Sequence, residues 1–222
     1  MKTKIFLSIF ASTLVFLSCG TLAAKNNQSK NNHSSSAPTS TSENQNSESS
    51  FVEITFDYNR ASTIASNQTA LWIENANGEL VKTLYVSDFT AKGRGYRRRA
   101  DSLNHWVSAA NPESLSGREI DVVSGATLRT GNQNFLWDLT DSNGNKVQAG
   151  KYFVKLEGTL YWKSNVLYSA QVDFADGTLQ IGEIQETRSE KSNQQNENMI
   201  SNVKIKGHFK PDSEPAVNSS KS

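Results

Sequence analysis

Hydrophobic and polar positions alternate along the middle of the chain in the pattern of half-buried β-strands. In Phe51–Tyr58 (FVEITFDY) apolar side chains recur at every second position, which directs them to one face of a sheet. Residues 70–74 and 80–86 are also rich in apolar side chains and flank an Asn77-Gly78 pair, which two-residue hairpin turns favour. These patterns predict a β-strand followed by a β-hairpin.

The second half of the chain continues as short strands separated by turns. The predicted strands are residues 134–138, 150–162, 166–174, 178–184 and 199–209. Asp176-Gly177 indicates a hairpin turn between two of them. A succession of short strands with tight turns is typical of a sandwich. We therefore expect an all-β, immunoglobulin-like β-sandwich over residues 51–210.

One stretch between the strands breaks the alternation. Residues 87–117 are expected to form a long irregular loop insertion, within which residues 101–110 have apolar side chains at helical spacing. We predict one short helix there, with Asp101 as its N-cap and Asn111-Pro112 as its end. The predicted apolar stripe comprises Leu103, Trp106, Val107 and Ala110.

The N-terminal residues 1–24 have the features of an export signal. Lys2 and Lys4 supply a positive start, and residues 5–17 form an apolar run that is too short to span a bilayer comfortably. The sequence therefore predicts an extracytoplasmic protein, in the periplasm or the cell envelope.

Two cleavage sites compete within this signal. Residues 16–19 (FLSC) resemble a lipobox, in which Cys19 would be lipidated and become the mature N-terminus; the alternative is cleavage after Ala23 or Ala24. We favour the lipid anchor, because Cys19 is the only cysteine of the chain and a tether-like segment follows it. With no second cysteine, we expect no disulfide in the folded domain.

Residues 25–50 and 211–222 are dominated by small and polar side chains. Such segments bury too little apolar surface to offset the loss of chain entropy, so we predict a disordered polar linker and a disordered tail.

The net charge of the 222-residue chain is +1, and removal of a signal with two lysines and no acid leaves +1 − 2 = −1. This balance argues against a nucleic-acid binder, and we expect a monomer.

Residues 121–127 (DVVSGAT) resemble the acceptor motif Asp-x-x-Ser-Gly-Ala-Thr of bacterial flavin transferases. Those enzymes attach FMN through a phosphoester bond to the last hydroxyl residue of the motif, which is Thr127 here. The alternative interpretation is a purely structural turn between strands, because Ser-Gly is a common loop pair.

The other residues of this motif suit the approach of a transferase. Gly125 and Ala126 are small, and we expect Gly125 to adopt a positive φ that exposes Thr127 on a bend. Asp121 and Ser124 are expected to hold that bend through hydrogen bonds from their side chains to the backbone.

Five cations lie close together before the predicted helix, and guanidinium groups bind phosphate through paired hydrogen bonds. They are Lys92, Arg94, Arg97, Arg98 and Arg99. Arg97, Arg98 and Arg99 are candidates to contact a flavin phosphate, and His105 is a candidate to stack on the flavin. The alternatives are a solvated loop and a site for an acidic partner.

No Cys/His spacing suits zinc and no hydrolase motif is present, so the sequence does not support a stand-alone catalyst.

Residues 137–152 resemble a strand–turn–strand signature of immunoglobulin-like modules, including that of the flagellar hook-capping protein. The expected core contacts come from Trp137, Val147 and Tyr152. Asp138 and Asp141 are expected to accept backbone N–H bonds in the turn, and Gly144 is expected to adopt a positive φ.

Taken together, several stretches resemble one family of predicted periplasmic proteins of unknown function. They are residues 71–75, 80–86, 95–99, 105–106, 121–127 and 137–152. The resemblance implies an exported β-domain. It also implies an association with extracytoplasmic flavin attachment and with redox membrane proteins.

Two functions are therefore considered. In the first, FMN is esterified to Thr127 by a flavin transferase that uses FAD and a divalent metal, and the protein passes electrons to or from a membrane redox protein. In the second, the chain is a cofactor-free, immunoglobulin-like envelope lipoprotein that binds a partner through residues 97–99.

Overall fold

The computed structural model describes residues 49–92, 94–175, 177–189 and 196–210. The predicted signal peptide, the lipidation of Cys19, nearly all of the linker and the tail lie outside these residues. The described elements, in chain order, are β1 (Phe51–Tyr58), β2 (Gln68–Asn75), β3 (Leu80–Ser87), α1 (Asp88–Ala91), α2 (Arg94–Arg98), α3 (Asn104–Ala110), α4 (Gly117–Val123), β4 (Ser124–Gly125), β5 (Gly131–Trp137), β6 (Gly150–Tyr161), β7 (Ser164–Ala175), β8 (Thr178–Ile181), β9 (Gln185–Arg188) and β10 (Ile200–His208).

The strands form two sheets, so the predicted all-β sandwich is confirmed. The small sheet has the strand order β10-β1-β5, and the large sheet has the order β4-β3-β2-β6-β7-β8, with β9 also paired to β7. The β3–β4 pair is parallel, and the other pairs are antiparallel.

The first core lies between the two sheets. Every second side chain of β1 is buried there, as the alternating sequence predicts. The β1 residues concerned are Val52, Ile54, Phe56 and Tyr58. They belong to one apolar cluster with Leu71 and Ile73 of β2 and with Val154 and Leu156 of β6. Removal of these side chains from water is the main stabilising contribution at this interface.

A second core lies on the other face of the large sheet, under the helices of the insertion. Trp72 of β2 and Val86 of β3 share this cluster with Leu103, Trp106 and Ala110. The first six residues of β2 are therefore all buried, because successive side chains of a strand point to opposite faces and both faces are covered. The domain has three layers: small sheet, large sheet and helical insertion.

The predicted turn chemistry is confirmed at two turns. Gly78, between β2 and β3, has φ 79°, and Gly144, after β5, has φ 82°. In the second turn, Asp141 Oδ1 accepts hydrogen bonds from Asn143 N at 2.8 Å and from Asn145 N at 2.9 Å.

The predicted core contacts of residues 137–152 are also present. The rings of Trp137 and Tyr152 meet edge-on with centroids 5.4 Å apart. Trp137 Nε1 donates to Thr140 O at 2.9 Å, and Asp138 Oδ1 accepts from Thr140 N at 3.3 Å. Val147 packs against the first core.

The insertion is more helical than predicted. Among its described residues, α1, α2 and α3 form where one helix was expected, and α4 follows from Gly117. Arg97 and Arg98 lie in α2 rather than in a loop. The expected helix begins at Asn104, after Leu103 with φ 49°. Asp101 is not its N-cap, because the Asp101 carboxylate instead accepts a hydrogen bond from Arg99 Nη2 at 2.8 Å. The predicted apolar stripe of this helix does pack on the sheet.

The strand prediction for the C-terminal part is less accurate. Residues 178–184 contain only the short strand β8, and β9 begins at Gln185, beyond the end of the predicted strand. Gln185–Arg188 has no apolar alternation, so only its pairing with β7 identifies it as a strand.

Replacement of Trp106 by alanine should detach the helical layer from the sheet. Trp106 is fully buried, and its Nε1 donates to Thr83 Oγ1 at 3.1 Å. We expect Trp106→Ala to lower the free energy of unfolding by about 3–5 kcal/mol, measured by urea unfolding. Leu136→Ala is the control, because Leu136 is 57% exposed and its loss should change stability by roughly 0.5 kcal/mol or less. Equal effects of the two variants would contradict this assignment.

Candidate functional site

The Asp121–Thr127 motif begins on α4 and crosses onto the edge of the large sheet. A capping box starts α4: Ser116 Oγ accepts from Glu119 N at 3.3 Å, and Glu119 Oε2 accepts from Ser116 N at 2.7 Å. The helix ends at Val123, and β4 then pairs with β3 at the edge of the large sheet. The chain next passes to β5, an edge strand of the small sheet. Thr127 therefore lies in the crossing between two sheet edges.

A tyrosine, rather than a bend with positive φ, positions the residues before Thr127. Gly125 lies in the extended strand β4, so the expected positive φ is wrong. A Cβ atom at Gly125 would lie 3.0 Å from Tyr85 Cε2, so a larger residue at this position would require the Tyr85 ring to shift by a few tenths of an ångström. The Tyr85 hydroxyl donates to Ala126 O at 2.8 Å. Burial raises the pKa of Tyr85, so this hydroxyl stays protonated and able to donate.

Asp121 contributes to the site through a lysine. Lys92 Nζ lies 3.2 Å from Asp121 Oδ1 and 3.3 Å from Asp88 Oδ1, and it thus joins α1 to α4. The hydrogen bond to Asp121, followed by that to Asp88, raises the pKa of Lys92. Because these groups are exposed, the contacts contribute little stability. The expectation that Asp121 holds a bend is wrong; its carboxylate connects two helices.

The two hydroxyls of the motif differ in their surroundings. Ser124 Oγ is buried and has no hydrogen-bond partner among the described residues, so it does not hold the expected bend. Thr127 is half-buried and Ala126 is exposed. No residue in the described part of the chain hydrogen-bonds to the Thr127 hydroxyl. An incoming reagent therefore has no intrachain hydrogen bond to displace at Thr127.

Two arginines of the basic segment, which comprises Lys92, Arg94, Arg97, Arg98 and Arg99, have partners away from the motif. Arg97 Nη2 lies 2.7 Å from Glu113 Oε1. Arg99 pairs with Asp101, and its guanidinium carbon lies 4.5 Å from the centroid of the Trp162 ring. Arg98 is exposed on α2. Among the described contacts, none joins Arg97, Arg98 or Arg99 to residues 121–127.

His105 belongs to the interface between α3 and the large sheet. Its Nδ1 lies 3.0 Å from Glu157 Oε1, and Glu157 is fully buried. The same carboxylate accepts from His105 N at 3.3 Å and from Trp106 N at 3.0 Å, so a residue of β6 caps the start of α3. The hydrogen bond to Glu157 is the main cause that raises the pKa of His105, and burial opposes it.

Sequence reasoning missed the roles of Tyr85 and Glu157. Tyr85 shows in the sequence only as an aromatic residue of a predicted strand. Glu157 does leave a signal, because a carboxylate occurs within the long, largely apolar strand of residues 150–162. Buried carboxylates require hydrogen-bond donors, but the sequence does not indicate that the donors are backbone amides of α3.

Residues 49–190 match the family described as predicted periplasmic protein (DUF2271). The chain belongs to this family. The family description gives a periplasmic location, which agrees with the extracytoplasmic location expected from the sequence, and it names no activity. No curated protein and no solved structure matches the chain. Within the described residues, no helix is long and apolar enough to cross a bilayer.

The variant Tyr85→Phe tests whether Tyr85 holds residues 124–127 in place. This variant keeps the ring beneath Gly125 and removes the hydrogen bond to Ala126 O, so we expect a loss of about 1 kcal/mol and faster amide hydrogen exchange in residues 124–127. Tyr168→Phe is the matched control, because the Tyr168 hydroxyl donates to a different carbonyl, Ile200 O, at 3.2 Å. An increase in exchange at 124–127 in both variants, or in neither, would contradict a local role of Tyr85.

His105 should make stability depend on pH. The pKa of His105 in the folded protein is raised above its ordinary value of 6.5. Its stabilising contribution is therefore fully present below about pH 6.5 and lost as pH rises through the folded pKa. Urea unfolding across this range should show the largest gap between wild type and His105→Gln at low pH.

The Glu157→Gln background provides the control for this titration. Without the carboxylate, the pH dependence of the effect of His105→Gln should disappear. A gap between wild type and His105→Gln that stays constant across the titration would overturn the assignment.

Proposed function

We propose that Thr127 is the acceptor of a covalently attached FMN and that the protein is an extracytoplasmic electron carrier. The observation that carries the proposal is the placement of the Asp-x-x-Ser-Gly-Ala-Thr motif at a sheet edge. There Thr127 is partly exposed next to small Gly125 and Ala126, and no described residue hydrogen-bonds to its hydroxyl. Membership in a family described as periplasmic agrees with this location.

The attachment is a phosphoryl transfer from FAD. The Thr127 oxygen attacks the flavin-side phosphorus, a bond from that oxygen to phosphorus forms, and the bond between this phosphorus and the bridging oxygen breaks. AMP leaves, and a base of the transferase takes the hydroxyl proton. Tyr85 positions the acceptor by its contact with Gly125 and its hydrogen bond to Ala126 O. When bound, FMN supplies reversible electron transfer.

The described residues fit an attached FMN at the surface. A phosphodiester at Thr127 would carry a negative charge, and Arg129, two residues further along, is exposed. Within the basic segment, Arg98 is exposed and has no ion pair among the described residues, so we propose it as the first candidate to contact the flavin. Contacts from Arg97, Arg99 or His105 would compete with their existing carboxylate partners.

Two protein partners and a membrane anchor follow from this proposal. A flavin transferase that uses FAD and a divalent metal modifies Thr127. A membrane redox protein exchanges electrons with the flavin. A lipid on Cys19 would hold the carrier at the membrane, and the polar residues 25–50 would let the domain move between these two partners.

The alternative proposal is a cofactor-free binding module. The observation in its favour is the exposed position of Arg97 and Arg98 on α2, which an acidic partner would recognise. In that case, Thr127→Ala would have no effect on partner binding, whereas Arg97→Gln together with Arg98→Gln would weaken it in a salt-dependent way.

The deciding experiment is the intact mass after denaturation of residues 25–222, which retain every described residue, produced with and without a flavin transferase. Wild type should gain the mass of FMN minus water, on the peptide that contains Thr127. Thr127→Ser should keep the adduct and Thr127→Ala should lose it. Thr130→Ala is the control for a nearby hydroxyl and should be modified like wild type.

Two results would overturn the flavin proposal. One is a Thr127→Ala protein that still carries covalent flavin. The other is a wild-type protein that stays unmodified while the same transferase modifies a control acceptor.

A further inference from the structure

The turn between β6 and β7 presents a tryptophan to solvent. Trp162 is 51% exposed, whereas each of the other three tryptophans is at most 1% exposed. They are Trp72, Trp106 and Trp137. The ring of Tyr161 meets the Trp162 ring edge-on, with centroids 6.4 Å apart. A large apolar ring is thus placed at the tip of the β6–β7 hairpin, where about half of it is exposed.

This exposed ring is held in place from beneath. The Arg99 guanidinium lies 4.5 Å from the Trp162 ring centroid, although Arg99 itself is only 9% exposed. Asp101 Oδ2 accepts from Arg99 Nη2 at 2.8 Å and from Lys163 N at 3.1 Å. The same carboxylate therefore anchors both the cation beneath the ring and the backbone of the turn, and the ring is ordered before any ligand arrives.

Trp162 and Lys163, which form this turn, are not residue types that favour turns. Lys163 has φ 52°, in the left-handed region where glycine and asparagine are the ordinary choices. Here the turn carries an aromatic residue and a lysine in spite of the strain. Backbone strain of this kind is often associated with a functional role.

We propose that this tip, formed by Tyr161, Trp162 and Lys163, is a contact surface for anionic phospholipid membranes. Trp and Tyr rings prefer the boundary between headgroups and acyl chains, and lysine and arginine are attracted to anionic lipid. A half-exposed ring at a hairpin turn can enter the headgroup region of a bilayer without a matching cavity, which a protein partner would have to provide. Lysine is also depleted in protein–protein interfaces.

The linker is long enough for this contact. The tip lies at the opposite end of the sandwich from the start of β1, because Ser50 and Phe174, near the far end of β7, line one cleft. The 12 residues of β6 give the sandwich a length of about 40 Å. A fully extended chain with as many residues as the predicted linker, residues 25–50, reaches at most roughly 86 Å, so the proposed anchor at Cys19 allows the tip to reach the surface.

Tryptophan fluorescence tests the proposal directly, because the other three tryptophans are buried. Residues 25–222 would be mixed with vesicles of pure phosphatidylcholine or of equal parts phosphatidylcholine and phosphatidylglycerol, and binding would be measured by co-flotation. With the anionic vesicles we expect binding, a blue shift of the emission and protection from acrylamide quenching. Trp162→Ala should weaken the partition roughly tenfold, and Lys163→Glu should also weaken it.

Leu136→Ala is the control for an exposed apolar side chain elsewhere, and it should bind like wild type. The proposal is wrong if anionic vesicles leave the emission of Trp162 unchanged, if Trp162→Ala binds like wild type, or if neutral vesicles bind equally well. It is also wrong if Trp162 is protected only by an added envelope protein, since the tip would then be a protein interface. None of these readouts depends on Thr127 or on flavin.

Discussion

The burial of the large sheet on both faces is the constraint on which the rest of this structure depends. The small sheet covers one face with β1, and α3 covers the other with Trp106. β2 lies at the centre, and its first six residues are all buried. Because each layer removes apolar surface of the next from water, the helical insertion is a structural layer of the domain rather than a loop attached to it.

The buried carboxylate of Glu157 connects this packing to the insertion. A charge at a buried position is tolerated only with hydrogen-bond donors, and α3 supplies them through two backbone amides and His105. This contact holds the start of α3 on the sheet. The chain after α3 must then return through α4 to the free edge of β3, where β4 pairs with it. The position of Thr127 thus follows from how the insertion packs.

Particular residues show how far sequence reasoning reaches. The alternation in Phe51–Tyr58, the turn glycines at 78 and 144, and the core positions of Trp137 and Tyr152 were predicted and are present, because each depends on local chemistry. The N-cap role predicted for Asp101 is wrong, because its carboxylate accepts a hydrogen bond from Arg99, two residues away. Proximity to that arginine was visible in the sequence, but its side-chain direction was not.

The sequence by itself determined most of the strands, the tight turns, the class of fold and the short motif around Thr127. Strand alternation and glycine turns follow from backbone geometry over a few residues, so they can be read locally. Only the tertiary structure decided that Tyr85 supports Gly125 and Ala126, that Lys92 meets Asp121 and that the neighbouring arginines turn elsewhere. These contacts join residues distant along the chain, and the packing of three layers brings them together.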